Sequence, residues 1–273
     1  MAWGIGNVAV AKAPLGGLAL AFHRLWLGAM LYTIALGLRG GLRFTRRDVR
    51  LALPGAVAFA LDIAFFFEAT KHTTLADATT ISALQPLVIL ALAGRRFGER
   101  VRALHVVCAL TAIAGVALVV RGSGATGKVT LYGEVMAILA TGAWAWYFVA
   151  SKEARRHLGT LEYLTLVFLL GIPLMGVVAL LSGQLTGPEG RIGVESLAWV
   201  AAVVLLPGSG HLLVNWAHHH TTITLTSLVT LLMPVLSTAG AAVFLDQPVG
   251  PLQVVGIVVV TAALVPVIML ERS

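Results

Sequence analysis

The chain has 273 residues, 58% of them hydrophobic and only 11% charged, with a mean hydropathy of +0.92. Soluble domains carry about one quarter charged residues, so this composition has too little polar surface to coat a globule and excludes a water-soluble enzyme or scaffold. The net charge of +7 is carried by short basic clusters between apolar runs, not by one stripe with interleaved aromatics; that pattern excludes nucleic acid as a partner and leaves the lipid bilayer.

Apolar runs of about 17 to 25 residues mark helices that cross a bilayer. Such segments fall at 2–13, 15–38, 50–70, 74–94, 103–120, 131–150, 161–182, 196–217, 223–245 and 251–270, joined by short links with no room for a soluble domain. The expectation is an all-α membrane protein of ten transmembrane helices. The first segment is the exception in length: its twelve residues at about 1.5 Å each cover about 18 Å of a core about 30 Å thick. It reads as a truncated first helix. With the N-terminus placed in the cytoplasm, thirteen Lys and Arg fall inside, grouped at Arg39–Arg50, Arg95–Arg102 and Lys152–Arg156 with Arg272 near the C-terminus, against five outside. That bias predicts cytoplasmic N- and C-termini. The single cysteine, Cys108, lies in an apolar run and reads as packing.

Polar residues inside apolar segments are costly and usually face a cavity or a partner. In the first segment these are Asn7 and, as an aromatic, Trp3; in the second, His23 and Arg24; in the third, Asp62 and Glu68. Arg24 lies about 13 Å and Asp62 about 12 Å below the outer edge, so an Arg24–Asp62 ion pair is expected, with Glu68 as the competing partner. Glu68 and Glu134 otherwise lie near the outer interface, where they can reach water.

The fourth segment holds Gln85-Pro86, a pair that a soluble core helix would exclude. Sliding the chain by 148 positions lays Pro86 on Pro234 and His72-Thr73-Thr74 on His220-Thr221-Thr222, with agreement at 12 of 39 positions between 69 and 107. A shift of 141 lays Trp3 on Trp144. Five helices followed by five place the two copies in opposite senses, the inverted repeat of secondary transporters, divided here as 1–125 and 126–273. Pro86 and Pro234 become candidate gating hinges, with a static kink as the alternative. The eighth segment brings His211 to nearly the place that Asp62 holds in the third. A histidine there is a candidate for proton coupling. Asn215, Trp144 and Tyr147 complete the residues expected around a central cavity, where rings would suit an amphipathic or aromatic solute.

The order of the ten spans, "AWGIGNVAVAK" at the start, "LALAFHRLWLGAML" in the second and "TTISALQPLVILALAGRRFGERV" in the fourth resemble the EamA-type branch of the drug/metabolite transporter superfamily over essentially the whole chain. The resemblance implies a bacterial inner-membrane carrier, often an exporter of amino acids or other small metabolites, with a cavity between two five-helix halves. The family's glutamate after the fourth helix maps to Glu99. Asp246-Gln247-Pro248 stands where the second copy usually has a Gly-Glu-Pro-like turn, so Glu99 is read as a helix cap or a partner of Arg95 and Arg96 rather than as a transport group.

The sequence therefore predicts a transporter working by alternating access on a small-molecule substrate held by Trp3, Asn7, Arg24, Asp62, Gln85, Trp144, Tyr147, His211 and Asn215. No Walker pattern or Gly-x-Ser-x-Gly elbow is present, so gradients rather than ATP are the expected energy source and no cofactor is expected. Nor is a metal: consecutive His218-His219-His220 point in different directions on a helix. The alternatives are an intramembrane enzyme using Asp62 and His211 as acid and base, and a channel-like facilitator.

Overall fold

A backbone in hydrocarbon must satisfy its own polar groups, and a helix does so within one segment. Among the described residues, 2–124, 129–244 and 249–272, the computed structural model is accordingly helical, without a strand. In chain order the helices are α1 (Ala2–Lys12), α2 (Gly17–Gly37), α3 (Arg46–His72), α4 (Leu75–Ser82), α5 (Gln85–Phe97), α6 (Ala103–Gly122), α7 (Leu131–Ala154), α8 (Thr160–Leu181), α9 (Val194–His220), α10 (Ile223–Val229), α11 (Met233–Phe244) and α12 (Pro251–Arg272). Eight stretches are long and apolar enough to cross a membrane: α2, α3, α4 with α5, α6, α7, α8, α9 and α12. Helix α1, with 11 residues, falls short of that length.

The segments 74–94 and 223–245, each expected as one kinked helix, are both broken. Between α4 and α5 the break passes through Ala83 and Leu84, and Pro86 is the second residue of α5. Between α10 and α11 a 3-10 turn spans Thr230–Leu232, and Pro234 is the second residue of α11. Proline has no N–H to continue the ladder and its ring crowds the preceding turn, so the α-helical ladder lapses for a turn and resumes at the proline, while Ala83, Leu84, Thr230 and Met233 keep helical dihedrals.

The repeated His-Thr-Thr acquires a structural meaning at the same time. His72 and His220 end α3 and α9; Thr73 and Thr221 leave those helices in extended conformations, with φ −137° and −143°. Thr74 and Thr222 then cap α4 and α10, accepting from the N–H of Asp77 at 3.0 Å and of Leu225 at 3.1 Å. A threonine at the N-cap satisfies one of the orphan donors of the first turn. The two turns share one conformation at positions 148 apart.

Lateral packing pairs α3 with α7, α6 with α12, α2 with α8 and α1 with α9. Glycines permit the closest of these approaches. A Cβ on Gly256 of α12 would lie 2.6 Å from the Gly115 carbonyl oxygen of α6, and one on Gly210 of α9 would lie 2.6 Å from the Trp3 ring of α1. Small residues let membrane helices gain dispersion contact that lipid cannot supply. Phe59, Tyr147, Phe148, Tyr163 and Phe168 fill the centre between α3, α7 and α8.

Two hydrogen-bonded seams define the ends of the bundle. At one, the Thr130 hydroxyl donates to the His72 carbonyl at 2.6 Å, and Lys71 Nζ donates to the Ala13 carbonyl at 2.8 Å, so the α1–α2, α3–α4 and α6–α7 links lie together. At the other, Lys152 donates to the carbonyl of Thr221, and Glu99 accepts from the N–H of Ile223, gathering the α5–α6, α7–α8 and α9–α10 links. These are called below the His72 end and the Glu99 end. The Asp246-Gln247-Pro248 turn and Lys128 lie outside the described residues.

Candidate functional site

A cavity of about 440 Å³ lies in the bundle beside the two helix breaks. Its lining runs from the middle of the bundle to the His72 end. Leu75 opens α4, Ser123 follows α6, and Val10 lies near the end of α1, whereas no lining residue comes from the Glu99 end. The cavity is therefore open towards one end and floored at mid-depth by Trp3, Trp144, Pro207 and His211.

Of the residues expected from sequence, Trp3, Asn7, Arg24, Asp62, Gln85, Trp144, His211 and the hinge candidate Pro234 line this cavity. Arg24 is 2% exposed, and its Nε and Nη2 have no hydrogen-bond partner. The expected ion pair with Asp62 does not form. Among the described residues the ion pairs within 4.0 Å are His72–Glu68 and Arg156–Glu153. The Arg24 guanidinium instead lies over two rings of α3, 5.3 Å from the Phe59 centroid and 5.5 Å from that of Phe67. Phe59 and Phe67 precede and follow Asp62 on α3, and the quadrupoles of their rings attract the cation.

His211 is 3% exposed and boxed by aromatics: Phe59, Trp144, Trp3 and Tyr147 have ring centroids 4.8, 5.2, 5.3 and 5.8 Å from the imidazole. Its Nδ1 has no hydrogen-bond partner. Trp3 and Trp144, the pair related by the 141 shift, meet edge to face at 5.5 Å. Gln85 opens α5 at the cavity wall, 1% exposed; its Oε1 lies 3.4 Å from the Thr230 hydroxyl, which donates to the Ser227 carbonyl at 2.6 Å, and its Nε2 is unpaired. The two helix breaks thus touch each other through Gln85 and Thr230.

Tyr147 and Asn215 lie outside the lining. Asn215 Nδ2 donates to the Tyr147 hydroxyl at 2.6 Å and to the His211 carbonyl at 2.9 Å, its Oδ1 accepts from Ser151, and Ser151 meets His218 Nδ1 at 3.2 Å. This polar column joins α7 to α9 below the cavity floor. Pro86 is buried beside Gln85 but does not line the cavity. His219 and His220 of the triplet turn elsewhere: His219 Nδ1 meets the Arg155 carbonyl at 3.3 Å, and His220 stacks on Trp216 at 4.2 Å.

Two glutamates differ from expectation. Glu68 is buried rather than facing water, because α2 starts at Gly17 with no side-chain cap: Glu68 Oε1 and Gln184 Oε1 accept from the Leu18 N–H at 3.2 and 2.9 Å. Glu99 is a cap, but of α10, and it pairs with neither Arg95 nor Arg96. Sequence reading also passed over Thr79, Ser82, Thr141 and Thr230, hydroxyls that line the cavity. Threonines at mid-helix usually bond their own backbone, as Thr141 does with the Ala137 carbonyl at 2.8 Å, so residue type alone gave no signal.

The sequence model of the EamA-like transporter family matches residues 1–121 and 131–269. A crystal structure of a protein 21% identical in sequence superposes on 100% of this chain and 96% of that one with a TM-score of 0.79, which establishes likeness of fold. No curated protein matches.

Proposed function

The chain belongs to the EamA-like transporter family, within the drug/metabolite transporter superfamily, and from that premise we propose that it is a secondary active carrier moving a small zwitterion, such as an α-amino acid, by alternating access. The observation that carries this reading is the cavity's charge arrangement. A buried arginine with unpaired nitrogens and the buried Asp62 carboxyl face one space and are more than 4.0 Å apart. A substrate carboxylate would bond Arg24 and the free Gln85 amide, and its ammonium would bond Asp62. Paired charges in a site that excludes water are favourable where either alone is costly. Trp3 and Trp144 would pack the substrate's apolar part.

Ten helices in two inverted halves, 1–125 and 126–273, give the mechanical basis. The equivalent threonine caps, the equivalent restarts at Pro86 and Pro234, and a family match in two stretches support the halves. The breaks are the hinge candidates, since a helix already interrupted loses few backbone bonds when its two parts move. With the basic links at Arg39–Arg50, Arg95–Arg102 and Lys152–Arg156 in the cytoplasm, the cavity faces the outside of a bacterial inner membrane, the release side for an exporter. His211 at the cavity floor is the candidate for proton coupling.

Counterflow in proteoliposomes tests this reading. Saturable exchange of a labelled amino acid, stimulated from the opposite side and lost in Asp62→Asn, is the expected result. Flux without trans-stimulation would replace the carrier by a facilitator, and chemical conversion of the solute would replace it by an enzyme.

A further inference from the structure

Glu99 belongs to the link between α5 and α6, yet its carboxylate accepts hydrogen bonds from the N–H of Ile223 at 2.7 Å and of Thr224 at 3.0 Å. These are the first two donors of α10, and Thr222 satisfies a later one. A seven-residue helix cannot hold itself together by its own ladder, so what fixes its first turn decides where it sits. Here two charge-assisted bonds from another part of the chain do so, and such bonds are about twice as strong as neutral ones.

The position of this contact matters more than its strength. From the capped turn, α10 runs through the 3-10 turn to Thr230, Leu231, Met233 and Pro234, all in the cavity wall. From Glu99, α5 runs back to Gln85, and the turn before it to Ala83, in the adjoining wall. Helices α5 and α10 pack on each other. The carboxylate therefore clasps the far ends of the two broken segments at the end where the cavity is closed. A path from the cavity to that end along this wall would part α5 from α10, and the Glu99 bonds cross that seam. Lys152 of α7 holds the other side of the same turn, donating to the carbonyls of His218, at 2.8 Å, and Thr221, just before α10.

We propose that Glu99 is the latch of the closed gate, a positioning residue whose carboxylate keeps α10 seated on α5 while the cavity faces the His72 end and whose release accompanies opening of the Glu99 end. The inference rests on the alternating-access reading. It assigns to this glutamate a task in the conformational cycle and no contact with substrate.

The test is accessibility from each face of the membrane. In full-length protein carrying Cys108→Ala, which removes the single cysteine, Ser82→Cys places one thiol in the cavity wall. Labelling rates with a membrane-impermeant maleimide are measured in vesicles of either orientation. Adding Glu99→Gln is expected to slow labelling from the His72 face and speed it from the Glu99 face, moving their ratio by about tenfold, the worth of one charge-assisted bond. Glu153→Gln, which removes an exposed carboxylate paired with Arg156 at 3.4 Å on the same end, is expected to leave the ratio unchanged. A ratio in Glu99→Gln equal to its parent, or equal slowing from both faces with a lower melting temperature, overturns the latch. Counterflow on the parent decides the carrier reading separately, because a ratio can shift in a protein that carries nothing.

Discussion

Asp62→Asn and Arg24→Gln, taken singly and together, test whether the two cavity charges act as a unit. Arg24 is 2% exposed and lies over the Phe59 and Phe67 rings. Those contacts contribute about 0.5–2 kcal/mol each. The carboxylate lies beyond 4.0 Å, where opposite charges attract by at most about 4 kcal/mol at an effective dielectric of about 20. Water entering from the open end screens part of this, so each single variant is expected to lose about 1–3 kcal/mol. The double variant, which leaves no orphaned charge, should lose less than the sum, giving a coupling of about 1–3 kcal/mol in a double-mutant cycle. Equilibrium unfolding in mixed micelles supplies the four free energies. A coupling below about 0.5 kcal/mol, the scatter of independent sites, would refute charge pairing across the cavity. The same samples test substrate: at about 100 times Kd a bound amino acid should stabilise the parent by about 2.7 kcal/mol, and neither single variant.

Gly256→Ala should cost about 1–3 kcal/mol of stability by overpacking, because the new Cβ would meet backbone on α6, 2.6 Å from the Gly115 oxygen and 2.7 Å from Val119 N; an unchanged unfolding curve would mean that α6 and α12 pack less tightly. Asn215→Ala strips partners from Tyr147 and Ser151 below the cavity floor and should lower folded yield while counterflow KM stays near the parent value; a raised KM at normal yield would move Asn215 into the substrate site. His211→Gln should flatten the pH profile of counterflow, since the imidazole shares the cavity with Arg24 and Asp62; a profile unchanged from the parent would remove His211 from proton coupling.

Composition and periodicity located the helices well, because an uninterrupted apolar run in a membrane protein has few other structures open to it. The two breaks were legible only as prolines. A proline states that one backbone bond is missing, not whether the helix bends through the gap or restarts after it. The choice depends on what surrounds the break, here a contact between Gln85 and Thr230, 145 residues apart in sequence. Glu68 and Glu99 show the same limit. Each satisfies backbone donors on a helix remote in the chain, and a carboxylate that caps someone else's helix has no local pattern to announce it.

For the cavity, sequence supplied depth better than direction. At about 1.5 Å per residue, a count from the end of a span fixes how far down a side chain lies, and Arg24 and Asp62 do share one cavity. The count says nothing of what else lies at that depth. Phe59 and Phe67 lie on either side of Asp62 along α3, and the guanidinium settles over their faces rather than against the carboxylate. Its nitrogens are then left for another partner. Depth also separates the remaining candidates, since Tyr147 and Asn215 stand about one turn beyond Trp144 and His211 and the floor passes between them. A direct Arg24–Asp62 salt bridge would have filled the space with a neutral pair and left a solute little to bind. Held apart, the two groups both stay available to the cavity, as the proposed zwitterionic substrate requires. The substitution cycle proposed above measures that difference.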